Sequence, residues 1–240
     1  MELQQQENIL ETQGNLETRL IYGGYPEILR TDMSPLDRQQ YLADIVSNYL
    51  YKDILELENI QHRSKIIDLL SMLAFQIGHE VSVTELATHL GMSRNTVEKY
   101  LYYLEEAFVL YRLRGFSRNL RKEITKTCRY YFYDNGVRNA IIHAWNPISR
   151  RDDIGMLWEN YIVMERLKKQ SYTRWRGNNY FWRTHDQKEI DWVEDADDFL
   201  HGYEIKWGTK IPKAPALWTK TYSHSTYSII NPETYLDFIQ

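Results

Sequence analysis

A change from helical to strand periodicity restricts the fold of this chain more than any other feature. Before residue 171 most apolar residues recur at helical spacing, as in SKIIDLLSMLAFQ (64–76) and IGMLWENYIVMERLKKQ (154–170). Three short aromatic and β-branched runs then follow, separated by polar turns: NYFWRT, EIDWV and GYEIKW. Helical modules followed by a meander of strands predict an α+β chain.

Length and composition set the class of protein. A chain of 240 residues that is 43% hydrophobic is long enough for two modest domains. Its single cysteine, Cys128, excludes an internal disulfide and a cysteine-based zinc site, so we expect a reducing compartment, the cytoplasm. No apolar run approaches the ~20 residues that cross a bilayer, and the N-terminus does not resemble a signal peptide. We therefore expect no membrane partner.

Charge is distributed unevenly along the chain. Residues 1–60 carry a net charge of −7, residues 61–109 of −2 and residues 110–240 of +5, which together give the −4 of the whole chain. A polyanionic partner would therefore be held by the C-terminal half. This asymmetry alone does not identify nucleic acid as the partner.

The first 60 residues predict a helical lead-in segment. Gly23, Gly24 and Pro26 interrupt the chain, and Ser34 with Pro35 starts a new helix. Apolar residues then recur at helical spacing, at Leu42, Ile45, Val46, Tyr49, Leu50 and Ile54. We expect this apolar face to pack on the next module.

Residues 61–133 predict a winged-helix domain. Ser82 and Glu85 have the spacing of a capping box, Gly91 ends the short helix, and Ser93 is the candidate cap of a second helix. These features indicate a helix-turn-helix. The helix at 64–76 precedes it, and the strand-like runs FVLYRL and KTCRYYFYD flank a basic turn.

Two groups of residues in this domain are candidates for nucleic-acid contact. The second helix of such a motif enters the major groove, and its first turn carries Arg94, Asn95, Thr96 and Lys99. The wing would place cations on phosphates, namely Arg118, Arg121, Lys122 and Lys126. Acidic residues on the same helix favour the alternative, a module that only packs against protein.

Residues 134–240 contain the candidate catalytic side chains. Strict alternation would place Ile190 with Trp192 on one face of a strand and Asp191 with Val193 on the other. Glu204 and Lys206 also share a face, and a hairpin can bring Asp191 beside Glu204. Two such carboxylates suit a magnesium ion, which Lys206 and Glu159 could complete into a phosphodiester-cleaving site. The alternative is a hairpin with a solvated face, where Lys206 simply pairs with an acid.

An ordered series of short motifs resembles the C-terminal half of a large family of bacterial and archaeal AAA-type ATPases. The series runs from about Leu16 to the end of the chain: GGYPEIL, YLYKDI, SRNTVEKYLYYLEEAFVLYRL, RYYFYDNGVRNA, GMLWENYIVMERL, YFWRT, EIDWV and YEIKW. In that family a nucleotide-binding domain precedes a domain of unknown function. This chain departs from the family in lacking the phosphate-binding pattern GxxxxGK[ST]. We therefore expect no ATP site and no ATPase activity from the chain alone.

The resemblance implies a winged helix followed by a restriction-endonuclease-like α/β domain of the PD-(D/E)xK kind. Its catalytic residues would fall on Glu159, Asp191, Glu204 and Lys206, and Mg²⁺ or Mn²⁺ would bind Asp191 and Glu204. Two functions remain open. One is a DNA-binding module with metal-dependent phosphodiesterase activity, coupled to an ATPase domain. The other is a non-catalytic protein-interaction scaffold with a degenerate nuclease fold.

Overall fold

The computed structural model describes residues 14–30, 32–48, 63–116, 128–184, 186–208 and 212–240. In these ranges helices combine with seven strands of mixed parallel and antiparallel pairing, so the fold is mixed α/β. The chain divides into two compact units. The first unit comprises Met1–Tyr111 and Tyr130–Tyr161, and the second comprises Arg112–Arg129 and Ile162–Gln240.

The first unit is mainly helical. Its helices in the described ranges are α1 (Leu16–Tyr22), α2 (Pro35–Ile45), α3 (Arg63–Phe75), α4 (Val83–Leu90), α5 (Arg94–Glu106), α6 (Asn135–Ile141) and the N-terminal part of α7 (Ile154–Tyr172). Short 3-10 turns lie at Pro26–Leu29 and Ile148–Arg150. The unit also holds β1 (Glu80–Val81), the start of β2 (Leu110–Gly115) and most of β3 (Cys128–Phe132).

Local sequence explains how α4 and α5 begin and end. The Ser82 hydroxyl accepts the backbone N–H of Glu85 at the start of α4. Gly91 ends α4 with a φ of 60°, a left-handed conformation that glycine adopts without a Cβ penalty. The Ser93 hydroxyl then accepts the N–H of Thr96 at the start of α5. The predicted pair of short helices joined by a glycine turn is therefore confirmed.

Helices α1 and α6 are joined by specific contacts in the first unit. The Asn139 side chain donates to the carbonyl of Ile21 at 2.8 Å. A Cβ at Gly136 would lie 2.1 Å from the carbonyl oxygen of Tyr22, so only glycine fits there. The motifs GGYPEIL and DNGVRNA thus have a packing role in this unit.

The second unit contains five strands in the order β2-β4-β5-β6-β7. The strands that follow β2 are β4 (Asn178–Arg183), β5 (Glu189–Ala196), β6 (Phe199–Ile205) and β7 (Ser225–Ile230). The β4–β5 and β5–β6 pairs are antiparallel, so the predicted meander is confirmed. The β2–β4 and β6–β7 pairs are parallel, and β7 was not predicted. The rest of α7, α8 (Ala216–Thr221) and α9 (Tyr235–Ile239) complete the unit.

An apolar cluster and a polar network support β5 within this unit. The cluster consists of Phe116, Trp182, Ile190, Val193, Leu200 and Trp218. In the network, the buried Glu194 carboxylate accepts two hydrogen bonds from Arg166, at 2.6 and 2.8 Å, and one from Gln170 at 2.7 Å. The Trp192 indole N–H donates to the same carboxylate at 3.0 Å. The bidentate arginine and the two further hydrogen bonds compensate the Glu194 carboxylate for the loss of water.

Most of the predicted helices correspond to observed ones. The helix predicted at 64–76 is α3, and the one predicted at 154–170 is α7. The helix predicted through Leu42 appears as α2, but Tyr49, Leu50 and Ile54 lie outside the described residues. The predicted boundaries after residues 60 and 133 stay predictions. In the described ranges, no helix combines the length and the apolar character that a bilayer crossing requires.

Candidate functional site

The hairpin of β5 and β6 brings the two predicted metal ligands together. Trp192 pairs with Tyr203, and Val193 pairs with Gly202. Asp191 and Glu204 lie one residue beyond the Trp192–Tyr203 pair on their strands, close enough for the Asp191 charge to act on the Glu204 carboxyl. Both residues are buried, with 2% and 8% of their surface exposed.

A β-bulge in β5 lies at Asp191. On the β4 side, Tyr180 pairs with Val193 but Trp182 pairs with Ile190, so two residues of β5 lie opposite Phe181 alone. An extra residue of this kind bends a strand and redirects its side chains. Ile190 consequently joins Val193 in the apolar cluster, while Trp192 bonds to Glu194 in the polar network.

The bulge corrects the predicted alternation. Strict alternation would have put Ile190 and Trp192 on one face. They lie on opposite sides instead, because the extra residue shifts the period of the strand by one. The sequence does not indicate this bulge, because the residues on both sides of Asp191, Ile190 and Trp192, are apolar.

Lys206 contacts both carboxylates. Its Nζ lies 2.8 Å from Glu204 Oε1 and 3.5 Å from Asp191 Oδ2. The same Asp191 oxygen accepts the backbone N–H of Ile205 at 2.9 Å. The Lys206 side chain is 41% exposed, whereas those of Asp191 and Glu204 are 3% and 10% exposed. Solvent therefore reaches this cluster through the lysine.

Arg129 on β3 is a site residue that the sequence did not reveal. Its Nη1 lies 3.3 Å from Asp191 Oδ1, and its Nη2 lies 2.6 Å from Glu189 Oε2. The guanidinium also lies 4.7 Å from the ring centroid of Phe181, within cation–π distance. The available signal was a charged residue within the strand-like run KTCRYYFYD, because a buried arginine requires a buried acid.

The electrostatics of the cluster are dominated by Glu204. Burial, and next the neighbouring Asp191, raise the pKa of the Glu204 carboxyl from 4.5 to about 7, although Lys206 opposes the change. Its Oε2 is buried and has no hydrogen-bond partner among the described residues. Burial, followed by the charges of Glu204 and Asp191, raises the pKa of Tyr227 to about 12. Burial is therefore the largest cause of both pKa shifts, and the neighbouring carboxylates add to it.

The capacity of the site for a metal rests on two carboxylates. Within the described ranges, no group of three or more His, Cys, Asp or Glu side chains is arranged to hold an ion. Asp191 and Glu204 nevertheless offer the oxygen ligands that Mg²⁺ prefers, and the unsatisfied Glu204 Oε2 is a ligand atom without a partner. These two side chains could therefore serve as the protein ligands of a divalent cation.

Glu159, the third predicted acid, belongs to the first unit. There its Oε1 accepts a hydrogen bond from the Tyr131 hydroxyl at 2.7 Å. Its role as a further acid of the Asp191 cluster stays a prediction.

The predicted nucleic-acid-binding residues of α5 lie on its surface. Arg94, Asn95 and Lys99 are exposed, and Thr96 is half-buried. The Arg94 guanidinium pairs with Glu98 on the same helix at 2.9 Å. The predicted wing residues lie outside the described residues: Arg118, Arg121, Lys122 and Lys126.

Two family models match this chain. Residues 13–147 match the model described as Domain of unknown function (DUF8612). Residues 154–230, which include Asp191, Glu204 and Lys206, match the model described as Domain of unknown function (DUF4143).

Several curated proteins are also similar to this chain. An uncharacterized protein of Haemophilus influenzae is 25% identical over 186 residues, which cover 75% of this chain and 43% of that protein. The uncharacterized protein Rv2008c of Mycobacterium tuberculosis is 24% identical, with 77% and 41% covered. The uncharacterized protein MJ1544 of Methanocaldococcus jannaschii is 25% identical, with 72% and 37% covered. The chain thus spans about two fifths of the length of these relatives. No solved structure matches it.

Proposed function

This chain belongs to the family described as Domain of unknown function (DUF8612), and we propose that it is the nucleic-acid-processing part of a larger AAA-type ATPase. The proposed active site is a metal-dependent phosphodiesterase site in the second unit, formed by Asp191, Glu204 and Lys206. One observation carries the proposal: a half-exposed ammonium group contacts two buried carboxylates at 2.8 and 3.5 Å.

Each side chain of this cluster has a role in cleavage of a phosphodiester. Asp191 and Glu204 would hold Mg²⁺ or Mn²⁺, which when bound polarises the phosphate and acidifies a water. Lys206 reaches solvent, so its ammonium can meet a phosphate oxygen and stabilise the negative charge that develops there. Burial and Asp191 raise the pKa of Glu204 to about 7, and a bound divalent cation would favour the ionised carboxylate that the metal needs as a ligand.

The charges of the cluster favour a phosphate-bearing substrate. Glu189, Asp191 and Glu204 contribute three formal negative charges, and Arg129, Lys206 and Arg183, which lies 4.0 Å from Glu189, contribute three positive ones. A divalent cation would convert this net charge of zero into +2. The loaded site would then attract an anion, and one phosphodiester group carries a single negative charge.

An ATPase domain is the proposed partner. The chain lacks GxxxxGK[ST], so ATP hydrolysis would have to occur elsewhere. The curated relatives are more than twice as long as the part matched, which leaves room in them for a nucleotide-binding domain. Residues 154–230 match the model of a domain of unknown function, so the proposal of this partner rests on the sequence resemblance and on the length of the relatives.

A cleavage assay tests the proposed function. The purified chain is incubated with end-labelled single-stranded and double-stranded DNA and RNA of one sequence, in Mg²⁺, in Mn²⁺ or in EDTA. We expect fragments from at least one substrate with a divalent cation and none with EDTA. Intact substrates in every divalent-cation reaction would remove the active phosphodiesterase from consideration.

Arg129 favours a second candidate, the non-catalytic protein-interaction scaffold. Asp191 already receives a guanidinium on one oxygen and an ammonium on the other, so its charge is balanced without a metal. In this case the acid cluster would stabilise the sheet only. A titration with Mn²⁺ that shows no binding, together with intact substrates, would favour the scaffold.

We also propose that α4 and α5 form the DNA-contacting part of a winged helix. Arg94→Ala combined with Lys99→Ala is expected to weaken duplex DNA binding and to lower the slope of log affinity against log salt by up to about 2, because each phosphate contact releases counterions. The matched control is Arg174→Ala with Arg176→Ala, which removes two exposed cations of the second unit. Fluorescence anisotropy at several salt concentrations measures both. Equal slopes in the two double variants would place the DNA-binding surface elsewhere.

A further inference from the structure

We infer that Arg129 competes with a divalent cation for Asp191 and thereby sets the metal affinity of the site. The inference rests on the proposed metal site and adds a residue that the cleavage chemistry itself does not use. It concerns how strongly the cation is held and follows from the contacts of each carboxylate oxygen.

The four oxygens of Asp191 and Glu204 differ in what occupies them. Asp191 Oδ1 faces the Arg129 guanidinium at 3.3 Å, and Asp191 Oδ2 accepts the N–H of Ile205 and faces Lys206. Glu204 Oε1 is bound by Lys206 at 2.8 Å. Glu204 Oε2 alone has no hydrogen-bond partner among the described residues. A cation that uses both acids must therefore displace a protein cation from Asp191.

Arg129 is the cation that can yield. Its contact with Asp191, at 3.3 Å, is longer than its contact with Glu189, at 2.6 Å. The guanidinium also lies 4.7 Å from the Phe181 ring centroid. Arg129 can thus release Asp191 and keep both its acid partner at Glu189 and its aromatic contact. A cation held by Asp191 Oδ1 and the unpartnered Glu204 Oε2 would leave Lys206 in place, because Lys206 faces the other two oxygens, Asp191 Oδ2 at 3.5 Å and Glu204 Oε1 at 2.8 Å.

This geometry gives two substitutions opposite effects. Arg129→Gln removes the competing charge, so Mn²⁺ is expected to bind about tenfold more tightly, since a unit charge a few ångströms away acts on a divalent ion. Glu189→Gln removes the acid that draws Arg129 away from Asp191, so Mn²⁺ is expected to bind about threefold more weakly. A purely structural role of Arg129 predicts no tightening.

The test is a titration of the full chain with Mn²⁺ alone at pH 7.5, with free Mn²⁺ followed by electron paramagnetic resonance. Arg129→Lys keeps the charge and is expected to retain weak binding. Arg166→Gln is the matched control, because it removes another arginine of the second unit, 15% exposed, from its ion pair with Glu194. It is expected to lower the melting temperature without changing the Mn²⁺ affinity. Glu189 is 38% exposed, so Glu189→Gln decides the question alone if Arg129→Gln does not fold.

The outcomes separate this inference from the proposed function. Tighter binding by Arg129→Gln supports it, even when the wild-type chain binds too weakly to measure. If the wild type binds Mn²⁺ and both Arg129→Gln and Glu189→Gln bind it with the same affinity, the inference is overturned but the metal site remains. Absence of binding in all variants would remove the metal site and the inference together.

Discussion

Asp191→Asn is expected to lower divalent-dependent cleavage at least about 100-fold, since loss of a metal-binding carboxylate commonly has an effect of this size or larger. The fold should persist. An asparagine oxygen can still accept the backbone N–H of Ile205, and Arg129 keeps Glu189 as a partner. Cleavage rates in Mg²⁺ and Mn²⁺, together with a thermal melt of each variant, measure the two effects separately.

The matched control for this substitution is Asp198→Asn in the turn between β5 and β6. Asp198 is exposed and has a φ of 60°, a conformation that asparagine tolerates well. The Asp198→Asn variant loses one negative charge from the same hairpin but not from the acid cluster, so its cleavage rate should equal that of the wild type. Equal activities of Asp191→Asn and the wild type would contradict a catalytic role for the Asp191 carboxylate.

Glu204 is expected to make the chain less stable as the pH rises. Below pH 4.5 its carboxyl is protonated in both the folded and the unfolded chain, and it contributes nothing to pH dependence. Between pH 4.5 and 7 the unfolded chain ionises first, so the free energy of unfolding falls. Above about pH 7 the folded carboxyl is ionised too, and the full penalty of about 3 kcal/mol is present.

Glu204→Gln removes this dependence, because an amide does not ionise in this range. The free energy of unfolding of Glu204→Gln, minus that of the wild type, should therefore grow by about 3 kcal/mol between pH 4.5 and 8. Urea unfolding in EDTA at several pH values measures it. Glu233→Gln, an exposed control, should follow the wild type. Parallel curves for Glu204→Gln and the wild type would show that burial does not raise the Glu204 pKa.

The same measurement separates the two proposed functions. At pH 8, added Mg²⁺ should restore wild-type stability if the cation binds the ionised Glu204 and Asp191, because ligand binding to the folded state stabilises it. Glu204→Gln should gain less. A scaffold in which Arg129 and Lys206 serve as the permanent counter-ions predicts no response to Mg²⁺ in either protein.

Hydrophobic periodicity and capping residues predicted those parts of the structure that depend on local sequence. The caps at Ser82 and Ser93, the glycine turn at Gly91 and the three-stranded meander all follow from residues close together in the chain. A hairpin that can place Asp191 beside Glu204 was also predicted from the two short strands, and the structure brings both carboxylates to Lys206.

The remaining features depend on contacts between distant residues. Arg129 lies 62 positions from Asp191, and nothing in its local sequence indicates which acid it will meet. Strand β7 pairs in parallel with β6 through a connection that periodicity does not encode. Local spacing also does not predict which residues Glu159 will contact. The predicted cations at 118–126 lie outside the described residues.

The β-bulge at Asp191 gives strand length a diagnostic value. Between Ile190 and Val193, β5 has one residue more than a regular ladder against β4 requires. Deletion of one residue there would regularise the sheet and still leave Ile190 and Val193 on one face, but the Asp191 side chain would lose its present orientation. In a homologous sequence, therefore, the acid alone would be an insufficient criterion for this site. The number of residues between that acid and the following turn would distinguish a strand that contains the bulge from a regular strand without it.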